Sequence, residues 1–165
     1  MSIGAHGTTN TPFQEITKMN PNPSHNAAAL TLRLGLGAVF LAHSVYLKLF
    51  VFTLPGTAQF FESLGLPGGL AYAVFLVEAI GGIALLTGVA VRSVAIALLG
   101  VSFGATWAHS GSGWLFTNSG GGWEFPALLA LTTGVQVLLG AGDWRLRLPV
   151  SVPAREPTAA ASAAV

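Results

Sequence analysis

The sequence predicts an all-α fold: an integral membrane four-helix transmembrane bundle with a short interfacial helix between the first and second crossings. Two observations carry this. Of 165 residues, 52% are hydrophobic and only 8% charged, at a mean hydropathy of +0.67; soluble domains carry about 25% charged residues. Four apolar stretches also come near the roughly 20 residues a helix needs to cross the hydrocarbon core. The second, Leu70 to Gly88, is nearly unbroken except for one carboxylate, Glu78, close to its middle. A carboxylate at that depth costs at least ~2.5 kcal/mol, so Glu78 is expected to face protein or water and to have a partner. Gly81 and Gly82 lie three and four positions beyond it, on the same helical face, where a neighbouring helix can approach closely.

Composition narrows the chemistry. The net charge of +1 argues against nucleic acid as a partner. With no cysteine, thiolate nucleophiles, disulfide exchange, iron–sulfur ligation and cysteine-bound zinc are excluded. No metal site is expected either: His6 and His25 have no second ligand at metal-binding spacing.

Along the chain, residues 1–26 read as a polar N-terminal tail without the basic-then-apolar pattern of a cleavable signal peptide. Its end is expected to cap the first helix through Ser24 or Asn26. Residues 27–148 form the transmembrane domain. Helix one is expected from Ala27 to Phe52, with Arg33, Gly37, Ser44 and Lys48 on one face and His43 well inside. Pro55, Gly56, Pro67 and Gly68 bracket the short interfacial helix, Thr57 to Leu64, capped by Thr57 and ended by Gly65, with Glu62 toward water. Gly88 to Ser93 leaves room for a tight turn only. Helix three follows from Arg92 to His109, with Gly100, Gly104 and Ala108 as a small-residue seam. The loop Ser110 to Trp123 holds Trp114, Phe116 and Trp123, residues suited to the headgroup region, and is expected to fold over the mouth of the bundle. Helix four starts at Glu124, an acid well placed at a helix N-terminus, and runs to about Gly142 with Thr132, Thr133 and Gln136 as its polar patch. Residues 149–165, rich in Ala, Pro and Ser, read as a disordered tail.

Four crossings put both ends of the bundle's chain on one side. Lys18, Arg33, Arg92, Arg145, Arg147 and Arg155 gather there, and Lys48 alone lies at the other. Because positive residues mark the cytoplasmic side, the expected localisation is a bacterial inner membrane, N-in and C-in, with both long loops outside.

Helix rise compares depths. Glu78 falls about 12 Å below the start of helix two and His43 about 10 Å below the end of helix one, so the two are expected to be neighbours. Lys48, His109 and Glu124 sit above them, giving a polar funnel that opens outward. In the inner half, Arg33 either pairs with Gln136 or reaches lipid phosphates. The plainer reading of the outer cluster is a structural network in which His43 or Lys48 holds Glu78 to fix helix register.

Four segments then resemble one family. FLAHSVYLKLF (Phe40 to Phe50), GTAQFFESLGLP (Gly56 to Pro67), LVEAIGGIALLTG (Leu76 to Gly88) and GGGWEFP (Gly120 to Pro126) are similar to the DoxX family of small bacterial four-helix membrane proteins. The resemblance spans about Leu30 to Leu146. It implies that Arg33, Lys48, Glu78, Gly82, Arg92, His109 and Glu124 occupy the family's recurring polar and glycine positions. One departure stands out: the family commonly shows a His-Gly pair with lysine four residues after the histidine, whereas here Ser44 replaces the glycine and Lys48 follows His43 by five. The family name derives from a subunit associated with a terminal quinol oxidase and thiosulfate oxidation, and other members look like membrane anchors of redox assemblies.

The functional reading is therefore a membrane subunit of a respiratory or redox assembly, handling quinone or anchoring a redox protein partner. Glu78, His109, Glu124, Lys48 and His43 are the candidate quinone and proton site, beside Trp107, Trp114 and Trp123; no catalytic residue is assigned, and any electron carrier beyond a quinone belongs to a partner. The alternatives are a structural or assembly protein without its own chemistry, and a transporter of a small solute or protons. Haem ligated by His43 and His109 is disfavoured by a depth difference of about 10 Å. Lipid is the expected environment, with a homo-oligomer open.

Overall fold

In a computed structural model, residues 23–146 are described, and they form a helical membrane bundle. The expectations for residues 1–22 and for the C-terminal tail lie outside them. Helix α1 runs from Pro23 to Leu41 and continues as a π-helix, Ala42–Val51. Then come the short α2, Leu54–Ser63, and the crossings α3, Gly69–Thr87, and α4, Val91–Ala108. Last is α5, Glu124–Leu139. Three helices, Pro23–Val51, Gly69–Thr87 and Val91–Ala108, are long and apolar enough to span a bilayer, and α5 is a shorter apolar helix. Large apolar side chains such as Ile80, Ile96, Phe103, Leu131 and Leu138 are exposed, as a lipid-facing surface requires. Phe40, Leu36, Leu85, Val91 and Leu98 pack the interior.

The helix ends explain where the elements stop. Gly65, at φ 78°, and Gly88, at φ 79°, each close a paired terminal motif. Gly65 N–H donates to the Glu62 carbonyl and Leu66 N–H to the Phe61 carbonyl; Gly88 N–H donates to the Leu85 carbonyl and Val89 N–H to the Ala84 carbonyl. Only glycine takes this left-handed conformation without a steric cost.

Three boundaries differ from expectation. Helix α1 begins at Pro23, the favoured residue for a first turn, so Asn26 lies within the helix; its side chain instead bonds Asp143 across 117 positions, donating from Nδ2 at 2.7 Å. The cap of α2 is Thr53, whose Oγ1 accepts from Gly56 N–H at 3.2 Å. Thr57 lies inside that helix and donates back to the Thr53 carbonyl, because Pro55 is tolerated in the first turn and does not delay the start. Helix α5 stops at Leu139, where Gly140 takes φ 70°.

Close approach of α1 to α3 sets the frame of the site. A Cβ on Gly82 would lie 2.7 Å from Leu41 Cγ and 3.0 Å from the Gly37 carbonyl oxygen. Gly81 faces the other way, against Leu98 of α4. The Gly100 and Gly104 seam, by contrast, sits on the outside of α4 with nothing within 4 Å of either position; Ala95, Leu98 and Ser102 form the buried face.

Candidate functional site

The ten-residue π-helix shapes the site first. An α-helix turns about 100° per residue, which would leave residues five apart on different faces. A π-helix bonds each N–H to the carbonyl five residues back, and Phe52 N–H donates to the Leu47 carbonyl at 2.8 Å in this way. The wider turn brings residues five apart closer to one face than an α-helix does, which draws His43 and Lys48 toward the same side.

Lys48 Nζ donates to Glu78 Oε2 at 2.5 Å. The pair is nearly enclosed, with side chains 16% and 7% exposed. It is the only ion pair among the described residues. Glu78 stands one turn before Gly82, where the α1–α3 approach brings the lysine-bearing helix in. The His43 ring lies within electrostatic range of the same carboxylate. Its Nδ1 is 2.8 Å from the Val39 carbonyl; since a carbonyl only accepts, Nδ1 carries the proton and donates, which leaves Nε2 for exchange. The ring stacks on Phe125 with centroids 5.6 Å apart and planes 14° from parallel.

His109 and Glu124 are elsewhere. His109 Nδ1 donates to the Gly120 carbonyl at 3.0 Å and stacks on Phe60. Glu124 Oε1 accepts from Phe116 N–H at 2.9 Å. Both side chains fasten the loop between α4 and α5, together with Trp123 N–H and Glu124 N–H donating to the Gly113 and Trp114 carbonyls. A Cβ on Gly122 would collide with the backbone carbonyls of Trp114 and Leu115, leaving no room for a side chain. Trp114 and Trp123 meet edge to face at 4.5 Å. Trp107 is exposed on α4. The funnel expected from depth thus resolves into two parts: the enclosed Lys48–Glu78 pair, with His43 on the same helix as Lys48, and a loop cap.

A groove of about 500 Å³ is lined by Trp114, Phe116 and Glu124 together with Phe125, Leu128 and Leu131 of α5. Phe125 both lines the groove and stacks on His43. It was missed in the sequence, though it sits inside the GGGWEFP segment.

At the opposite end, Arg33 and Gln136 do not pair. Arg33, only 3% exposed, donates from Nη2 to the Trp144 carbonyl at 2.8 Å. Gln136 Nε2 donates to the Gly140 carbonyl at 2.6 Å. Arg33 is thus covered by the segment after α5.

Fold and site together define a small helical membrane protein built around one buried ion pair. The DoxX family model matches residues 28–111, and the chain belongs to that family. It is also similar to a protein of Bacillus subtilis (strain 168) named "Putative oxidoreductase CatD", 39% identical over 75 residues, which are 46% of this chain and 54% of the relative. The chain therefore matches about half the length of that curated relative. No solved structure matches it significantly.

Proposed function

We propose that this protein is the membrane subunit of a redox assembly, exchanging protons with a quinone at the Lys48–Glu78–His43 group. The observation that carries the reading is the enclosed ion pair, its lysine on the same helix as His43, whose ring stacks on Phe125, a lining residue of an apolar groove. Ionisable groups inside a membrane are expensive and are kept where they do chemistry. The similarity to a protein named an oxidoreductase supports the same class.

The residues fit the group tested. An apolar channel walled by Phe116, Phe125, Leu128 and Leu131 suits an isoprenoid tail, and His43 Nε2 is an uncommitted proton site beside it. A quinone, when bound, supplies two-electron, two-proton chemistry, with electrons from the partner. The chain's own contribution is to hold a proton at His43 Nε2, with Glu78 paired to Lys48 as its counterweight.

The test is quinone-linked turnover of the copurifying oxidoreductase in native membranes. His43→Gln is expected to lower it by roughly 100-fold, the usual scale of a lost acid–base group; unchanged turnover refutes the reading. A second reading, a scaffold in which the ion pair only fixes helix register, is favoured by the near-complete enclosure of Lys48 and Glu78. In that case His43→Gln leaves turnover intact while the partner still copurifies.

A further inference from the structure

The end of the bundle opposite the loop cap carries three arginines, Arg33, Arg92 and Arg145, against one described acid, Asp143. Arg33 is 3% exposed, yet its Nε and Nη1 have no hydrogen-bond partner. Its Nη1 lies against Gly88, where a Cβ would collide with it, and Arg145 places its Cβ at the same glycine, 2.8 Å from that position. The Arg92 guanidinium packs on Gly140 in the same way, with Nε 3.0 Å from where a Cβ would stand. Three arginines therefore meet two glycine turns whose bare Cα atoms leave space for them.

None of the three is ion-paired among the described residues. Of the described acids, Glu78 is on Lys48, Glu62 and Glu124 are at the loop end, and Asp143 alone lies at this end, two residues before Arg145 with its Oδ2 engaged by the Asn26 amide. Next to Arg145, Trp144 is 57% exposed, and an exposed tryptophan beside basic residues is the usual occupant of the headgroup layer. Basic pockets between membrane helices take anionic headgroups, and guanidinium forks match phosphate oxygens two at a time.

We propose that Arg33, Arg92 and Arg145 form a phosphate site at this end of the bundle, occupied by the headgroup of an anionic phospholipid. Arg92 and Arg145 grip the phosphate from the surface. Arg33 lies beneath, and its unpartnered Nε and Nη1 are reached when the Arg145 side chain moves off Gly88. This site is independent of the redox reading.

The experiment is native mass spectrometry of the full chain, released from mixed vesicles of phosphatidylglycerol and phosphatidylcholine. The same protein is then followed by thermal unfolding in neutral detergent with added inorganic phosphate. The wild-type protein is expected to retain phosphatidylglycerol about tenfold over phosphatidylcholine, the scale of one charge-assisted hydrogen bond. Arg92→Gln with Arg145→Gln abolishes the preference, and Arg145→Lys keeps part of it. These are surface positions, so folding is checked by an unchanged melting temperature. Stabilisation of the wild type alone by millimolar phosphate, without lipid preference, keeps the phosphate chemistry and assigns a soluble source. Equal retention of both lipids with no response to phosphate, or a preference that survives in the double variant, overturns the site.

Discussion

The two ends of the bundle treat their polar groups in opposite ways. At the loop end each is answered from within the chain: Lys48 by Glu78, His109 by Gly120, Glu124 by Phe116. At the arginine end, Arg33 Nε and Nη1, Thr133 Oγ1 and Gln136 Oε1 are buried without partners. A buried unpaired polar atom costs about 1–3 kcal/mol, so the second end is built at a standing disadvantage and the first is not. The difference teaches that the loop end is self-contained, while the arginine end is completed by something from outside.

Breaking the loop end should have the largest consequences. Glu78→Ala leaves the Lys48 ammonium enclosed and unpaired, and is expected to destabilise by about 3–5 kcal/mol, read as a fall in melting temperature in detergent. Gly82→Ala comes next. Its methyl meets Leu41 and the Gly37 backbone, and overpacking of this kind costs about 1–3 kcal/mol; a repulsion of α1 from α3 also loosens the ion pair. A smaller effect, about 1 kcal/mol, is expected for Glu124→Gln, seen as faster hydrogen exchange at Phe116 and across residues 113–123. The least is at the arginine end: Arg92→Gln should change stability by less than about 0.5 kcal/mol, because no partner is lost. A large destabilisation there would erase the contrast between the two ends.

Much of this architecture was legible in the sequence. Four apolar runs sit at membrane length, Gly65 and Gly88 mark helix ends, and an acid alone at mid-span had to be met by another helix. Depth pointed to His43 as the neighbour of Glu78 with Lys48 above, and only the plainer network reading admitted Lys48, the residue that makes the ion pair. What was not legible depended on geometry that a 3.6-residue period does not describe. The spacing of five between His43 and Lys48 was visible, but only a π-helix draws the two toward the same side. His109 and Glu124 were grouped with Glu78 because depth along a helix axis says nothing of direction around it; both are turned to backbone groups of a glycine-rich loop that has no periodicity to read. The same limit applies to Arg33, which meets the Trp144 carbonyl in an irregular segment rather than Gln136 on a facing helix.

The central claim is that the Lys48–Glu78 pair takes part in chemistry rather than only clamping α1 to α3. Replacing both residues at once, Lys48→Met with Glu78→Leu, removes the charges without leaving either unpaired, an exchange that is often neutral or stabilising. Quinone-linked turnover of the assembly carrying this double variant decides the matter. The account predicts a protein that folds as well as the wild type and copurifies with its partner, with turnover lowered by roughly 100-fold; full turnover in the same folded variant would contradict it.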